Sequence, residues 1–123
     1  MTQKLLLVDD SGLARRSMRA ILEPAGFHIV EAEDGMTALE RYYLDKPDLV
    51  ILDLVMKGMY GLDVLTKLRE LDPGVLVIVV SADVQQSSQD LVGAAGAAGF
   101  LTKPVDRDDV LTLVRGLLAR TAP

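Results

Sequence analysis

Four short apolar runs, none alternating polar with apolar residues, limit how this chain can fold: KLLLV from Lys4, DLVIL from Asp48, VLVIVV from Val75 and GFLT from Gly99. A strand with one wet face alternates, whereas a strand covered on both faces does not. These runs are therefore expected as inner strands of a parallel sheet. A fifth, weaker run, HIVEA from His28 to Ala32, carries Glu31, and that charge places it nearer a sheet edge.

Helical periodicity fills the intervals. Ser11 is a plausible N-cap for a helix with Ala14, Met18, Ile21 and Leu22 on one face, stopped by Pro24 and Gly26. Asp34 can cap a second helix that buries Ala38, Leu39, Tyr42 and Tyr43 and stops before Pro47. Gly61 opens a third, with Val64, Leu65, Leu68 and Leu71 inward and Pro73 and Gly74 as its stop. The last runs from Asp106, with Val110, Val114, Leu117 and Leu118 on one stripe. The fourth, Val84 to Ala98, is weak, because Gly93 and Gly96 each cost about 1 kcal/mol against Ala in a helix interior. Strand then helix, five times over, predicts an α/β doubly wound five-stranded parallel sheet with five helices in three layers, one domain over residues 1–123.

The composition agrees. Half the residues are apolar, only 4% are aromatic and Trp is absent, so the core must be Leu, Val, Ile, Ala and Met. No Cys is present, which excludes disulfides, thiolate metal sites and a Cys nucleophile. A net charge of −5 argues against direct nucleic-acid binding. No apolar stretch reaches membrane-spanning length and no signal sequence is evident, so the chain reads as cytoplasmic.

Open parallel sheets bind ligands beyond the carboxyl ends of their strands. Those ends carry Asp9 and Asp10, Asp53, Ser81 followed by Ala82, and Lys103 followed by Pro104. Three carboxylates at one sheet edge repel one another unless a cation joins them. A few hard oxygen ligands suit Mg²⁺, or Mn²⁺, better than a Ca²⁺ cage or a Zn²⁺ site. With an ammonium and a hydroxyl beside them, these are parts for stabilising a phosphoryl group in transfer.

The order of these motifs, DD after the first strand, ILDLVM after the third, VVSA after the fourth and GFLTKP at the fifth, resembles the receiver domain of bacterial two-component response regulators, stand-alone chemotaxis regulators in particular. The similarity covers Lys4 to about Ala119, and it implies a flavodoxin-like fold. It implies that Asp53 accepts a phosphoryl group from a sensor histidine kinase or phosphotransfer protein. Asp10 and Asp53 would ligate Mg²⁺ directly, Asp9 through water, and Val55 through its backbone carbonyl. Ser81 and Lys103 would bond phosphoryl oxygens, assisted by the backbone N–H groups of Leu54 and Ala82. Ser81 and Phe100 would form the switch that alters the surface of the fourth helix, fifth strand and fifth helix for a downstream target. Val55 and Asp83 would tune how long the phosphoryl group survives. The chain would act on itself, including slow hydrolysis, rather than turn over a separate substrate.

Lys57 stands where the family usually has a proline, so the loop from Met56 to Tyr60 should be more mobile. Lys57 is either an extra cation near the phosphoryl group or an outward residue facing a partner, the second being favoured. Arg15, Arg16 and Arg19 are either a solvated helix face or a docking surface. Met56 and Met59 read as packing, and His28 is assigned no chemistry. An aspartyl-phosphate phosphatase would want Asp-x-Asp at the first strand, and nucleotide binding would want a Gly-rich loop; neither occurs. A phosphate-independent interaction module would be expected to lose a key acid or the lysine, and none is lost. No output domain is expected, and a monomer, with dimerisation on phosphorylation allowed, is the default.

Overall fold

A computed structural model of the chain describes residues 2–56, 60–83 and 85–121. The elements run β1 (Lys4–Val8), α1 (Gly12–Leu22), β2 (His28–Ala32), α2 (Gly35–Asp45), β3 (Leu49–Asp53), α3 (Gly61–Leu71), β4 (Val77–Ser81), α4 (Gln86–Ala94), β5 (Gly99–Thr102) and α5 (Arg107–Thr121). All strand pairings are parallel, in the order β2-β1-β3-β4-β5. The fold is the doubly wound one that the runs predicted, with the Glu31 strand at an edge.

Two apolar layers explain the missing alternation. Leu5, Leu7, Ile51, Ile78 and Val80 pack with Met18 and Leu22 of α1 and Val110 and Val114 of α5. Leu6, Val8, Val50, Leu52, Val77 and Val79 pack with Ala38 of α2, Val64, Leu65 and Leu68 of α3, and Val92 of α4. Successive side chains of a strand face opposite sides, and here both sides are dry. Ser11 caps α1 by accepting the Ala14 N–H at 3.1 Å, and Asp34 caps α2 by accepting that of Thr37 at 2.7 Å.

Several expectations need correction. Strand β3 is shifted by one residue to include Asp53, and β4 begins at Val77 and includes Ser81. Tyr43 and Leu71 are 73% and 56% exposed, not buried. Neighbouring helix residues point about 100° apart. Ala38 and Tyr42 take the inward row, where the Tyr42 hydroxyl donates to Asp72 at 2.6 Å, which turns Tyr43 outward. Leu71 is the last residue of α3, past the reach of the core.

Helix α4 is shorter than its pattern, Gln86–Ala94, and Val92 is its one buried residue. Gly96 sits in the left-handed region at φ +98°, which ends the helix. A Cβ there would come within 2.6 Å of Arg69 Nε, whereas one at Gly93 would meet nothing within 4 Å. Gly93→Ala is therefore expected to stabilise the protein by roughly 0.5–1 kcal/mol and Gly96→Ala to destabilise it, as urea melts of the two variants would report. Lys57, Gly58, Met59 and Val84 lie outside the described residues.

Candidate functional site

The register brings the strand ends level: Val8 lies beside Leu52, Asp53 beside Val80, and Ser81 beside Thr102. Asp9 follows β1 directly, and its N–H extends the ladder to the Ala32 carbonyl at 3.1 Å. Asp53 ends the central strand and is only 8% exposed. Asp10 is exposed, yet it, Asp9 and Asp53 each offer a carboxylate oxygen, all within 4.8 Å of one another. Lys103, one residue past β5, places Nζ 3.3 Å from Asp53 Oδ2 and 3.4 Å from Asp9 Oδ2. Its peptide bond to Pro104 is cis.

The electrostatics follow from this placement. Burial, and then the Asp9 charge, pushes the Asp53 carboxyl above the ordinary carboxylate range, against the opposing pull of the Val55 N–H and Lys103. Burial works to lower Lys103, but Asp53 and Asp9 outweigh it and hold the ammonium above its usual value. The Lys103 ammonium stands at long contact with two carboxylates, Asp9 and Asp53, and a third acid, Asp10, lies alongside. This donor set is all hard oxygen, and it fits a Mg²⁺-type ion.

The structure brings Asp9, Asp10, Asp53 and Lys103 together. Ser81 ends β4, is 3% exposed, and its Oγ accepts the Asp83 N–H at 3.0 Å. Leu54 is a correction. Its N–H donates to the Val80 carbonyl at 3.0 Å, because β3 runs one residue further than read, so it belongs to the sheet ladder. The next amide, Val55, instead faces Asp53 Oδ1 at 3.3 Å. Val55 itself is 65% exposed. Phe100 is partly buried and packs on the α2, α3 and α4 side of the sheet. A cavity of about 620 Å³ opens beside the acids, with Met18, Ile51 and Val105 in its walls and Ala82 and Lys103 among its lining.

Asp83 is exposed, and its carboxylate serves α4: Oδ1 accepts the Gln85 N–H at 2.9 Å and Oδ2 the Ser88 hydroxyl at 2.6 Å. The Ser88 hydroxyl, then the Gln85 N–H, hold its carboxyl below the ordinary range. A depressed value means stabilisation present above an unfolded-state pKa of about 3.9 and lost as pH falls through the folded-state value. Acid titration is therefore expected to fray the start of α4 ahead of the sheet, seen as earlier loss of amide protection there by exchange NMR.

Sequence reasoning missed Gly61 and Arg15. Gly61 read only as a helix start, yet a Cβ there would lie 2.5 Å from the Asp53 carbonyl oxygen. Arg15 read as surface, yet it bonds the Asp9 carbonyl. The opposite charge of Glu31 on the adjacent strand was the available signal.

Comparison with known proteins bears on this geometry. A family profile for the response regulator receiver domain matches residues 5–115. Chemotaxis protein CheY of Bacillus subtilis (strain 168) is 37% identical over 119 residues, which is 96% of this chain and 99% of that protein. Response regulator MprA of Mycolicibacterium vanbaalenii is 35% identical over all of this chain, which spans 53% of that longer protein. A chain of the solved CheX–CheY–BeF3–Mg²⁺ complex of Borrelia burgdorferi superposes with a TM-score of 0.88 at 32% identity, covering 94% of this chain and 88% of that one. Among the described residues, no helix is long and apolar enough to cross a membrane.

Proposed function

The chain belongs to the response regulator receiver domains of two-component signalling, and we propose that Asp53 is the residue through which it receives its signal, as a phosphoryl group from a sensor histidine kinase or phosphotransfer protein. The observation that carries this is the buried Asp53 carboxylate, within 4.8 Å of Asp9 and Asp10 oxygens and 3.3 Å from Lys103. An Asp53 oxygen attacks phosphorus, an O–P bond forms, and the P–N bond to the donor histidine breaks with its electron pair leaving on the imidazole. Asp10, Asp53 and the Val55 carbonyl would hold Mg²⁺, with Asp9 acting through water. When bound, the ion supplies charge neutralisation at the phosphoryl oxygens. Lys103, 3.3 Å from Asp53, would add a second positive charge there. The Val55 N–H already points at the carboxylate, and takes the part first given to Leu54.

Ser81 connects this site to α4. A hydroxyl has one donor and two acceptor positions, so Ser81 can keep the Asp83 N–H while donating its own proton to a phosphoryl oxygen. Any movement of Ser81 then draws on Asp83, which holds the first turn of α4 through Gln85 and Ser88. With Phe100 rotating inward, the α4-β5-α5 surface presents a changed face to a downstream protein. The Borrelia burgdorferi complex, which contains CheX, CheY, BeF3 and magnesium, is a precedent for a partner bound to such a domain. Residues 1–123 act in this reading as one signalling module, in the cytoplasm, without direct nucleic-acid contact.

Incubation with acetyl phosphate and Mg²⁺, followed by intact mass, is expected to show a single added phosphoryl group, lost on mild alkaline hydrolysis as an acyl phosphate should be. An unchanged mass would instead favour a phosphate-independent interaction module.

A further inference from the structure

The basic face of α1 divides in the structure. Arg16 is exposed, but the Arg15 side chain is only 17% exposed and lies between two strands. Its Nε donates to Glu31 Oε1 at 2.8 Å and its Nη1 to the main-chain oxygen of Asp9 at 2.6 Å. Arg19 holds the second oxygen of Glu31 through Nη1 and reaches Glu23 through Nε at 2.9 Å. Glu31 precedes Ala32, whose carbonyl accepts the Asp9 N–H. Two adjacent residues of β2 therefore hold both polar backbone atoms of Asp9, one directly and one through Arg15.

We propose that Arg15, braced by Glu31, is a positioning residue for the acidic site. A peptide unit is planar, so fixing the Asp9 carbonyl oxygen also fixes the direction in which the chain leaves for Asp10. Asp10 is exposed, so burial does not set its direction. The Asp9 carboxylate is itself divided, Oδ1 accepting the Ser11 N–H at 2.9 Å and Oδ2 facing Lys103. The guanidinium thus sets how the two carboxylates are presented to a divalent cation. Its rigid fork reaches Glu31 and Asp9 at once, which a single ammonium cannot reproduce. This inference rests on the metal-binding reading above and adds a residue to it.

The sign of the effect separates positioning from charge alone. Arg15→Ala makes the site more negative, so a purely electrostatic role predicts tighter Mg²⁺ binding, and Arg15→Lys predicts no change. Positioning predicts weaker binding in both. Calorimetric titration of Mg²⁺ into the whole chain, with metal-free amide spectra to verify the fold, is expected to show about tenfold or greater loss of affinity in Arg15→Ala, the range found when partners of metal ligands are removed. Arg15→Lys should lose less, and Glu31→Gln should weaken wild type but add nothing to Arg15→Ala, because both act through one contact. The metal-free Asp10 amide resonance should shift in each variant. Unchanged or tighter binding in folded Arg15 variants overturns the inference alone. Absence of Mg²⁺ binding in wild type overturns the reading it rests on, and the inference with it. If Arg15→Ala fails to fold, Arg15→Lys and Glu31→Gln decide the matter by the same criteria.

Discussion

Asp53→Asn is expected to abolish phosphoryl uptake from acetyl phosphate and from any partner kinase, while the protein remains folded and melts at a higher temperature in metal-free buffer. Loss of uptake follows from replacing the only proposed nucleophile by an amide, and intact mass should show no addition where wild type shows one. Higher stability follows from the raised carboxyl of Asp53, whose charged form is disfavoured first by burial and then by Asp9. The sign is that of a raised value: stability is fully present below the unfolded-state pKa of about 3.9 and is lost as pH rises through the folded-state value. At neutral pH wild type carries that cost and the amide does not. Mg²⁺ should reverse the order, stabilising wild type by mass action more than the variant. Added phosphoryl mass that persists in Asp53→Asn would defeat the assignment of the acceptor.

Gly61→Ala is expected to destabilise the fold more than a methyl added at Gly93, Gly96 or Gly99. The new Cβ would stand 2.5 Å from the Asp53 carbonyl oxygen and 2.7 Å from the Cα and O of Leu54, all backbone atoms with no rotamer to yield. The Gly61 N–H also donates to the Leu54 carbonyl at 2.8 Å, so α3 cannot back away without losing that bond. Overpacking of this kind costs on the order of 3 kcal/mol, a fall in Tm of about 10 °C for a domain of this size. Since the collision is with Asp53, the proposed acceptor, the phosphorylation rate should fall with it. A Tm within a degree or two of wild type would show that the approach of α3 to β3 relaxes freely.

What the sequence made legible was what depends on burial and on local caps. Non-alternating runs announced strands with two dry faces, and their acid, hydroxyl and lysine ends pointed to one sheet edge. Ser11 and Asp34 were readable because a cap involves only the next three residues. What escaped depended on one-residue differences or on distant partners. Whether Leu54 or Val55 turns its amide to the carboxylate hangs on where β3 stops, and a strand shifted by one residue inverts every assignment along it. Leu71 fits its helical stripe, but a stripe does not reveal where its helix outruns the sheet, and Tyr43 lies one position off the inward row of Ala38 and Tyr42. Arg15 and Glu31 each drew notice, yet only the pairing of β1 with β2 brings them together.

Helix α4 buries one side chain, Val92, and its first turn is held by the polar links that begin at Ser81. In the switch proposed above, such an element would act as a lever on a single pivot. Turning it about Val92 strips little apolar surface, so two orientations can lie close in free energy. Coupling free energies between sites are typically about 1–3 kcal/mol, small beside the burial of a whole helix face but comparable with a few hydrogen bonds at one end of a loosely seated helix. In that switch, the sheet would hold four charged groups in register while this one helix changed place.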